Sequence, residues 1–310
     1  MKTKILITIL VGLFVISVVS AGSVTAKPDN PGKGRKPDKL KPVPATDVEL
    51  VKKITLKGRP PHAGKGKKKE GAATGVLGEL VSGSRYAVVV GISDYPGEEN
   101  DLNYSDDDAD EMDTALNNVY EFTSVTLLTD MEATRSEILS AIEEIPEDAG
   151  EIVFFFSGHG ASGIAEDGDK ERMDEAIVAH DGADIVPIWD GELQGAFSEF
   201  STSRIIFIFD TCLAGGMERD LEEPGRVIAM ATTERGYAYE SDTWENGEFS
   251  YYFVDHGILQ GQANVHDYDI DEVLEEPEQV TVEEAFDYAK TNCTYDKPTI
   301  GDSFEGDLLP

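Results

Sequence analysis

The chain has 310 residues, with 26 Lys and Arg against 61 Asp and Glu, five histidines and two cysteines, for a formal net charge of −35. That length holds one large α/β domain plus accessories. A field this negative disfavours nucleic acid and anionic surfaces as partners.

The charge is not evenly spread. Residues 27–70 carry fourteen Lys or Arg against five acids, whereas residues 71–310 carry ten against fifty-six. Adaptation to a saline habitat is the first explanation for such acidity. Self-repulsion in the compact state also means that salt, a divalent cation or a basic partner should help it.

Lys2 and Lys4 precede an apolar run from Ile5 to Val19, and small residues follow through Ala21 and Ala26. This is the layout of a secretory signal peptide over 1–26. The run falls short of the roughly 20 residues a bilayer span needs, which leaves an uncleaved anchor as the lesser alternative. No second stretch is long enough to span, so the rest is expected to be soluble and outside the cytoplasm, without stable membrane insertion after signal cleavage.

Residues 27–83 read as a basic linker or propeptide. Stretches 27–46 and 57–75 are rich in Pro, Gly and Lys and cannot bury a core, while Val48–Leu56 suits one short strand. The ordered domain is expected over 84–310, its first strand being RYAVVVGI (85–92). A helix with a serine cap and acids in its first turn follows at Ser105–Val119. SVTLLT (124–129) reads as a strand and Thr134–Ile145 as a helix. EIVFFFS (151–157), AIVAH (176–180), RIIFIFD (204–210) and VIAMATT (227–233) read as further strands, with helices at Trp189–Phe200, Phe249–Leu259 and Val282–Asn292. Such alternation implies a mostly parallel sheet covered on both faces.

Two of these strands stop abruptly in small residues carrying one reactive side chain: EIVFFFSGHG delivers His159 and RIIFIFDTCLAGG delivers Cys212. Ligands of open α/β sheets bind beyond the carboxyl ends of the strands, so an imidazole and a thiol are expected at one sheet edge. An imidazole can lower a thiol's pKa and then protonate a leaving amine. The backbone N–H groups of Gly160 and Cys212 are placed to donate to an oxyanion.

An even cysteine count in an exported chain can mean a disulfide. Tying up Cys212 would silence it, so Cys293 is read as a small buried hydrophobe. His180, His256 and His266 are read as core or surface polar residues. A zinc site of His159, His180 and Cys212 lacks paired ligand spacing.

SGHG after one strand and D-x-C-x-x-G-G after the next long one resemble the caspase/metacaspase superfamily of cysteine peptidases. YAVVVGI with LNYSDDDADEM, MDEAIVAHD, GEFSYYFVDHGIL and KPTIGDSFEGDLLP add weaker echoes, so the resemblance covers roughly 84–310. It implies a caspase-like (caspase-hemoglobinase) three-layer α/β sandwich, with a mostly parallel sheet of about six strands and helices on both faces. It further implies peptide-bond hydrolysis, with Cys212 as nucleophile and His159 as general acid/base. By the same resemblance Asp108 and Asp210 hold Arg or Lys before the scissile bond, as opposite charge requires. Thr211, Leu213 and Ala214 depart from the Ser or His common around the family's cysteine.

The substrate is thus expected to be a peptide or protein, and the dyad requires no cofactor. Calcium is the one candidate ion: several metacaspases need it, and the loop 166–175 offers Asp167, Asp169 and Asp174. That loop lacks EF-hand spacing and reads first as solvated. The basic segment reads first as a tether; the alternative is a propeptide whose basic residues touch the acidic pocket of their own chain and which is cut after Lys67, Lys68 or Lys69. Two other functions use the same residues: an inactive caspase-like module docking a cationic partner, and peptide-bond transfer in place of hydrolysis.

Overall fold

The computed structural model describes residues 41–57, 71–167, 173–266 and 279–310. The expected signal peptide over 1–26, residues 27–40 and 58–70 of the basic segment with Lys67, Lys68 and Lys69, and Asp169 lie outside the described residues.

In chain order the elements are β1 (Ala45–Val51), β2 (Ile54–Leu56), β3 (Arg85–Gly91), α1 (Ser105–Asn118), β4 (Ser124–Thr129), α2 (Arg135–Glu144), β5 (Glu151–Ser157), β6 (Gly160–Ala165), β7 (Asp174–His180), β8 (Ile185–Trp189), α3 (Asp190–Phe197) and β9 (Ile205–Asp210). There follow α4 (Glu218–Leu221), β10 (Arg226–Met230), β11 (Tyr239–Ser241), β12 (Asn246–Gly247), α5 (Glu248–Ser250), α6 (Val282–Asn292) and β13 (Thr299–Asp302). Directly after α5 the chain continues as a π-helix over Tyr251–Leu259.

Six strands form the central sheet in the order β13-β10-β9-β5-β3-β4, all parallel except β13. The apolar runs of the four inner strands β3, β5, β9 and β10 are explained by burial on both faces, while the edge strands β4 and β13 are partly exposed and carry polar residues. Alternate residues divide between two cores, as the period-2 pleat demands. Val88, Val90, Phe154, Phe156, Phe207 and Phe209 pack with Ile138 and Ile142 of α2 and Leu193 and Phe197 of α3. Ala87, Val89, Val153, Phe155, Ile206 and Ile208 pack with Met112 and Leu116 of α1, Phe253 of the π-helix and Phe286 of α6. Phe197 meets Phe207 edge to face at 4.8 Å, a favoured aromatic geometry. Helices cover both faces of a six-stranded, mostly parallel sheet, the three-layer α/β arrangement expected.

Several details depart from the sequence reading. Strands β1 and β2 precede Arg85, and each pairs with a strand of the later chain: β1 with β6 antiparallel, β2 with β11 parallel. One strand was expected over 48–56; two form, and Lys52 and Lys53 cross from one sheet to another between them. A four-stranded antiparallel sheet, β1-β6-β7-β8, was not foreseen. Its strand β6, GASGIA, is too short of large apolar residues to show a period. Strand β8 takes Trp189, so α3 starts one residue later than expected. Ser105 does not cap α1 with its own side chain; its N–H donates to Ser93 Oγ at 2.9 Å, so the cap comes from a loop.

One ion pair anchors the sheet far from the carboxyl ends of its strands. Arg204 and Glu151 are buried and bonded Nε to Oε2, while Arg204 also donates to the carbonyls of Glu79 at 2.7 Å and Leu309 at 2.6 Å. Arg204→Ala strands the Glu151 carboxylate in the core and should cost about 3–5 kcal/mol in urea unfolding. A loss below about 1 kcal/mol would show that the pair carries no such weight.

Candidate functional site

The register of two central strands sets the site. In the β5/β9 pair Ser157 lies opposite Asp210. His159 and Cys212 each follow two residues later, so both leave the sheet at the same carboxyl-end edge. The Gly158 N–H donates to the Asp210 carbonyl at 3.3 Å, tying the two tips together. The glycines of SGHG serve close approach. A Cβ on Gly160 would lie 2.2 Å from the Cys212 carbonyl oxygen, and one on Gly158 2.5 Å from Tyr95 Oη.

His159 is held from three sides. Tyr95 stacks on its ring at 4.7 Å between centroids and 24° between planes. The Tyr95 hydroxyl accepts from the His159 backbone N–H at 3.1 Å and donates to the Val178 carbonyl at 2.9 Å. Nε2 lies 2.7 Å from the Asn100 carbonyl, which can only accept, so that nitrogen bears the proton. Nδ1 accepts from the Lys53 backbone N–H at 3.0 Å and is therefore the basic nitrogen.

Cys212 ends the second tip and is 1% exposed. Its sulfur accepts from the Ala238 N–H at 3.2 Å, and the next residue, Leu213, has φ 63°. A left-handed non-glycine residue marks a turn that its surroundings enforce; here the Leu213 N–H donates to the Gly236 carbonyl at 3.0 Å. Both cysteines are free. Cys293 is half-buried at the end of α6, with its sulfur 3.8 Å from the Glu248 carbonyl.

Beside these two tips lies an acidic pocket, and a cation fills it. Lys53 Nζ sits 2.9 Å from Asp210 Oδ1 and 3.5 Å from Asp108 Oδ2, and it donates to Ser157 Oγ at 2.9 Å. Ser157 in turn donates to Asp108 Oδ2 at 2.6 Å. The remaining carboxylate oxygens are used as well: Asp108 Oδ1 accepts from the Gly247 N–H at 2.9 Å, and Asp210 Oδ2 from Ser250 N–H and Oγ at 2.9 and 2.7 Å. Gly247 supplies a wall where a Cβ would meet Asp210 Oδ2 at 2.3 Å and Lys53 Nζ at 2.8 Å. The sequence motif GEFS thus begins with glycine because the pocket leaves no room for more.

Burial and charge oppose each other throughout this cluster. Burial alone would lower the Lys53 pKa, but Asp210, Asp108 and Glu240 outweigh it and hold the ammonium above its ordinary range. Burial pushes Asp108 up to about 7 against the pull of Lys53. The Cys212 thiol is raised to about 12, chiefly by burial. His159 is lowered to about 4 by burial, with Lys53 and Lys52 adding to that effect.

The sequence-predicted residues thus divide. His159, Cys212, Gly160, Asp108 and Asp210 come together at one edge. Asp167 and Asp174 lie elsewhere, where with Asp190 they form the one group of three metal-ligand side chains among the described residues, their oxygens within 4.8 Å of one another. Asp190 was not singled out in the sequence; burial and Asp220 push its carboxyl up to about 9. His180 Nε2 meets the Asp130 carbonyl at 2.8 Å, and its Nδ1 accepts from the Gly182 N–H at 3.0 Å. Sequence reasoning missed Ser157, Tyr95, Asn100 and Lys53. Ser157 had a signal: it stands two residues before His159, as Asp210 stands two before Cys212. Lys53 had none beyond its charge.

A family model of the caspase domain matches residues 84–297 of this chain. No curated protein matches it.

The lowered pKa of His159 ties stability to pH. Its folded value of about 4 lies below the ordinary 6.5, so the neutral ring favours the fold. That contribution is complete above about pH 6.5 and is lost as pH falls toward 4, at about 1.4 kcal/mol per unit. Urea unfolding of wild type and His159→Gln should differ less at pH 4.5 than at pH 7, by about 2–3 kcal/mol. An unchanged difference would mean that the ring titrates alike folded and unfolded.

Proposed function

The chain belongs to the caspase-domain family of cysteine peptidases, and on that premise we propose that it is a secreted endopeptidase cutting after Arg or Lys. The observation that carries this reading is the ammonium of Lys53 held between Asp108, Asp210 and Ser157 at the dyad edge. A substrate lysine presents the same group, and an arginine guanidinium could share both carboxylates through its fork of donors. An acidic side chain would meet two carboxylates and be excluded.

In this mechanism His159 Nδ1, the nitrogen without a proton, takes the proton of Cys212. The thiolate attacks the carbonyl carbon of the residue in the acidic pocket, and the oxyanion is received by the N–H groups of Gly160 and Cys212. The imidazolium then gives its proton to the amine of the following residue as the C–N bond breaks. Water, deprotonated by the same nitrogen, releases the acyl group from sulfur. Asn100 and Tyr95 position the ring throughout. Calcium is proposed only as an accessory ion at Asp167, Asp174 and Asp190, where oxygen ligands suit a hard cation. Export rests on the signal-like layout of residues 1–26.

The alternative module docking a cationic partner uses the same pocket but needs no reactive thiol. Fluorogenic peptides ending in Arg, Lys, Asp or Asn, assayed with and without calcium on wild type and Lys53→Ala, separate the two. Arg and Lys substrates should be cut and Asp substrates spared. Cys212→Ala should abolish turnover, and His159→Ala should lower it by about 10²–10⁴-fold. Asp210→Asn should weaken Arg and Lys substrates by about tenfold or more, since each tenfold is about 1.4 kcal/mol. Cleavage of the Asp peptide alone would overturn the specificity. No cleavage of any peptide, with no labelling of Cys212 by an arginyl thiol-directed probe, would favour the module.

A further inference from the structure

We propose that residues 45–57 are a built-in inhibitor of this site, with Lys53 seated in the acidic pocket in a pose that cannot be cut. The inference rests on the peptidase reading for its meaning, while the seating itself is geometric.

Three contacts fix the segment across the site. Upstream, β1 pairs antiparallel with β6, bringing Val51 opposite Gly160, the residue after His159. Downstream, β2 pairs parallel with β11, with Ile54 opposite Tyr239, and Thr55 Oγ1 donates to the buried Glu240 at 2.6 Å. Between them the Lys53 side chain runs into the pocket and is fully buried. Lys52 points the other way, its Nζ donating to the Glu99 carbonyl at 2.6 Å. The stretch thus follows one path from sheet to sheet over the dyad tips.

The backbone is aimed wrongly for cleavage. A residue whose side chain fills the specificity pocket is cut at its own carbonyl, and the amine that leaves belongs to the residue after it. Hydrolysis after Lys53 would therefore need the Ile54 nitrogen to receive the proton from His159. Instead the Ile54 N–H donates to the Ala238 carbonyl at 2.9 Å, and His159 Nδ1 is taken by the amide of Lys53 itself at 3.0 Å. The general base is thus engaged by the wrong nitrogen. With Cys212 only 1% exposed, an incoming peptide reaches neither group until the segment leaves. Burial holds the thiol at about 12 and the imidazole at about 4, so both are neutral at pH 7 and no thiolate forms in the closed state. Because the inhibitor is part of the chain, its effective concentration is high and modest contacts suffice.

The experiment uses the full chain carrying Cys293→Ser, so that Cys212 is the only thiol. Iodoacetamide alkylation at pH 8 and hydrolysis of Arg and Lys peptides are followed in this protein and in the added variants Lys53→Ala and Ile54→Pro. The proline removes the N–H held by Ala238 and leaves the pocket's charges intact, so it carries the test should Lys53→Ala misfold. Both variants should alkylate at least tenfold faster and cleave correspondingly faster. A synthetic peptide of residues 44–57 should restore protection to Lys53→Ala, and the same peptide with alanine for Lys53 should not. Faster alkylation with no hydrolysis in any protein keeps the inhibitor and sinks the peptidase reading. Equal alkylation in all three overturns the inhibitor, as does a new N-terminus at Ile54 in the wild-type sequence, which would make the segment a substrate.

Discussion

The in-register parallel pairing of β5 with β9 is the constraint on which everything else rests. One strand slipped by a single residue would turn its side chains to the opposite faces of the sheet and carry its tip away from its neighbour. The pairing is pinned by two cores at once. Phe154, Phe156, Phe207 and Phe209 fill one face, and Val153, Phe155, Ile206 and Ile208 the other, so a slip would exchange side chains of different size and shape between two close-packed cores. Because Ser157 and Asp210 are partners in that register, the two small-residue tips leave the sheet side by side, and the acidic pocket opens beside them.

The pocket is an unusual place to put charge. Asp108 and Asp210 are fully buried, with Glu240, Glu248 and Asp296 close behind them. Burying one carboxylate without a partner is costly, and burying several is prohibitive unless donors and a cation compensate. Backbone N–H groups meet part of the demand: Glu248 accepts from those of Thr294, Tyr295 and Asp296. Lys53 meets the rest, bringing one ammonium to two carboxylates and a serine hydroxyl. A chain of net charge −35 that places a lysine there is satisfying its own field before any partner arrives. Whatever displaces that lysine must bring a cation of its own or admit water.

Much of this was legible in the residues. Apolar runs without alternation marked the central strands, because only strands covered on both faces can be apolar at every position. The chemistry-bearing tips were legible because small residues follow those runs abruptly. Less visible were the elements built by pairing alone. GASGIA becomes β6 because β1 and β7 flank it, and the Lys-bearing stretch before residue 57 becomes β1 and β2 because edges of two sheets stand ready to receive it. GASGIA carries no period of its own, and the stretch over 48–56, which reads as one strand, gives no local sign that it divides in two between two sheets. Asn100 and Tyr95 were invisible for a related reason: one acts through a backbone carbonyl, which every residue owns, and the other through the flat face of a ring that a core tyrosine shares.

The residues by themselves determined the alternation of strands and helices, the placing of His159 and Cys212 just past the ends of two strands, and the acidity that surrounds them. These follow from local periodicity and composition, which are written one residue at a time. Tertiary structure alone decided which nitrogen of His159 is basic, which hydroxyl joins the two aspartates, and which of the chain's many lysines enters between them. Those outcomes depend on distances between residues as much as 157 positions apart, Lys53 and Asp210 among them, and on the exclusion of water from the space where they meet. Sequence order carries no measure of either.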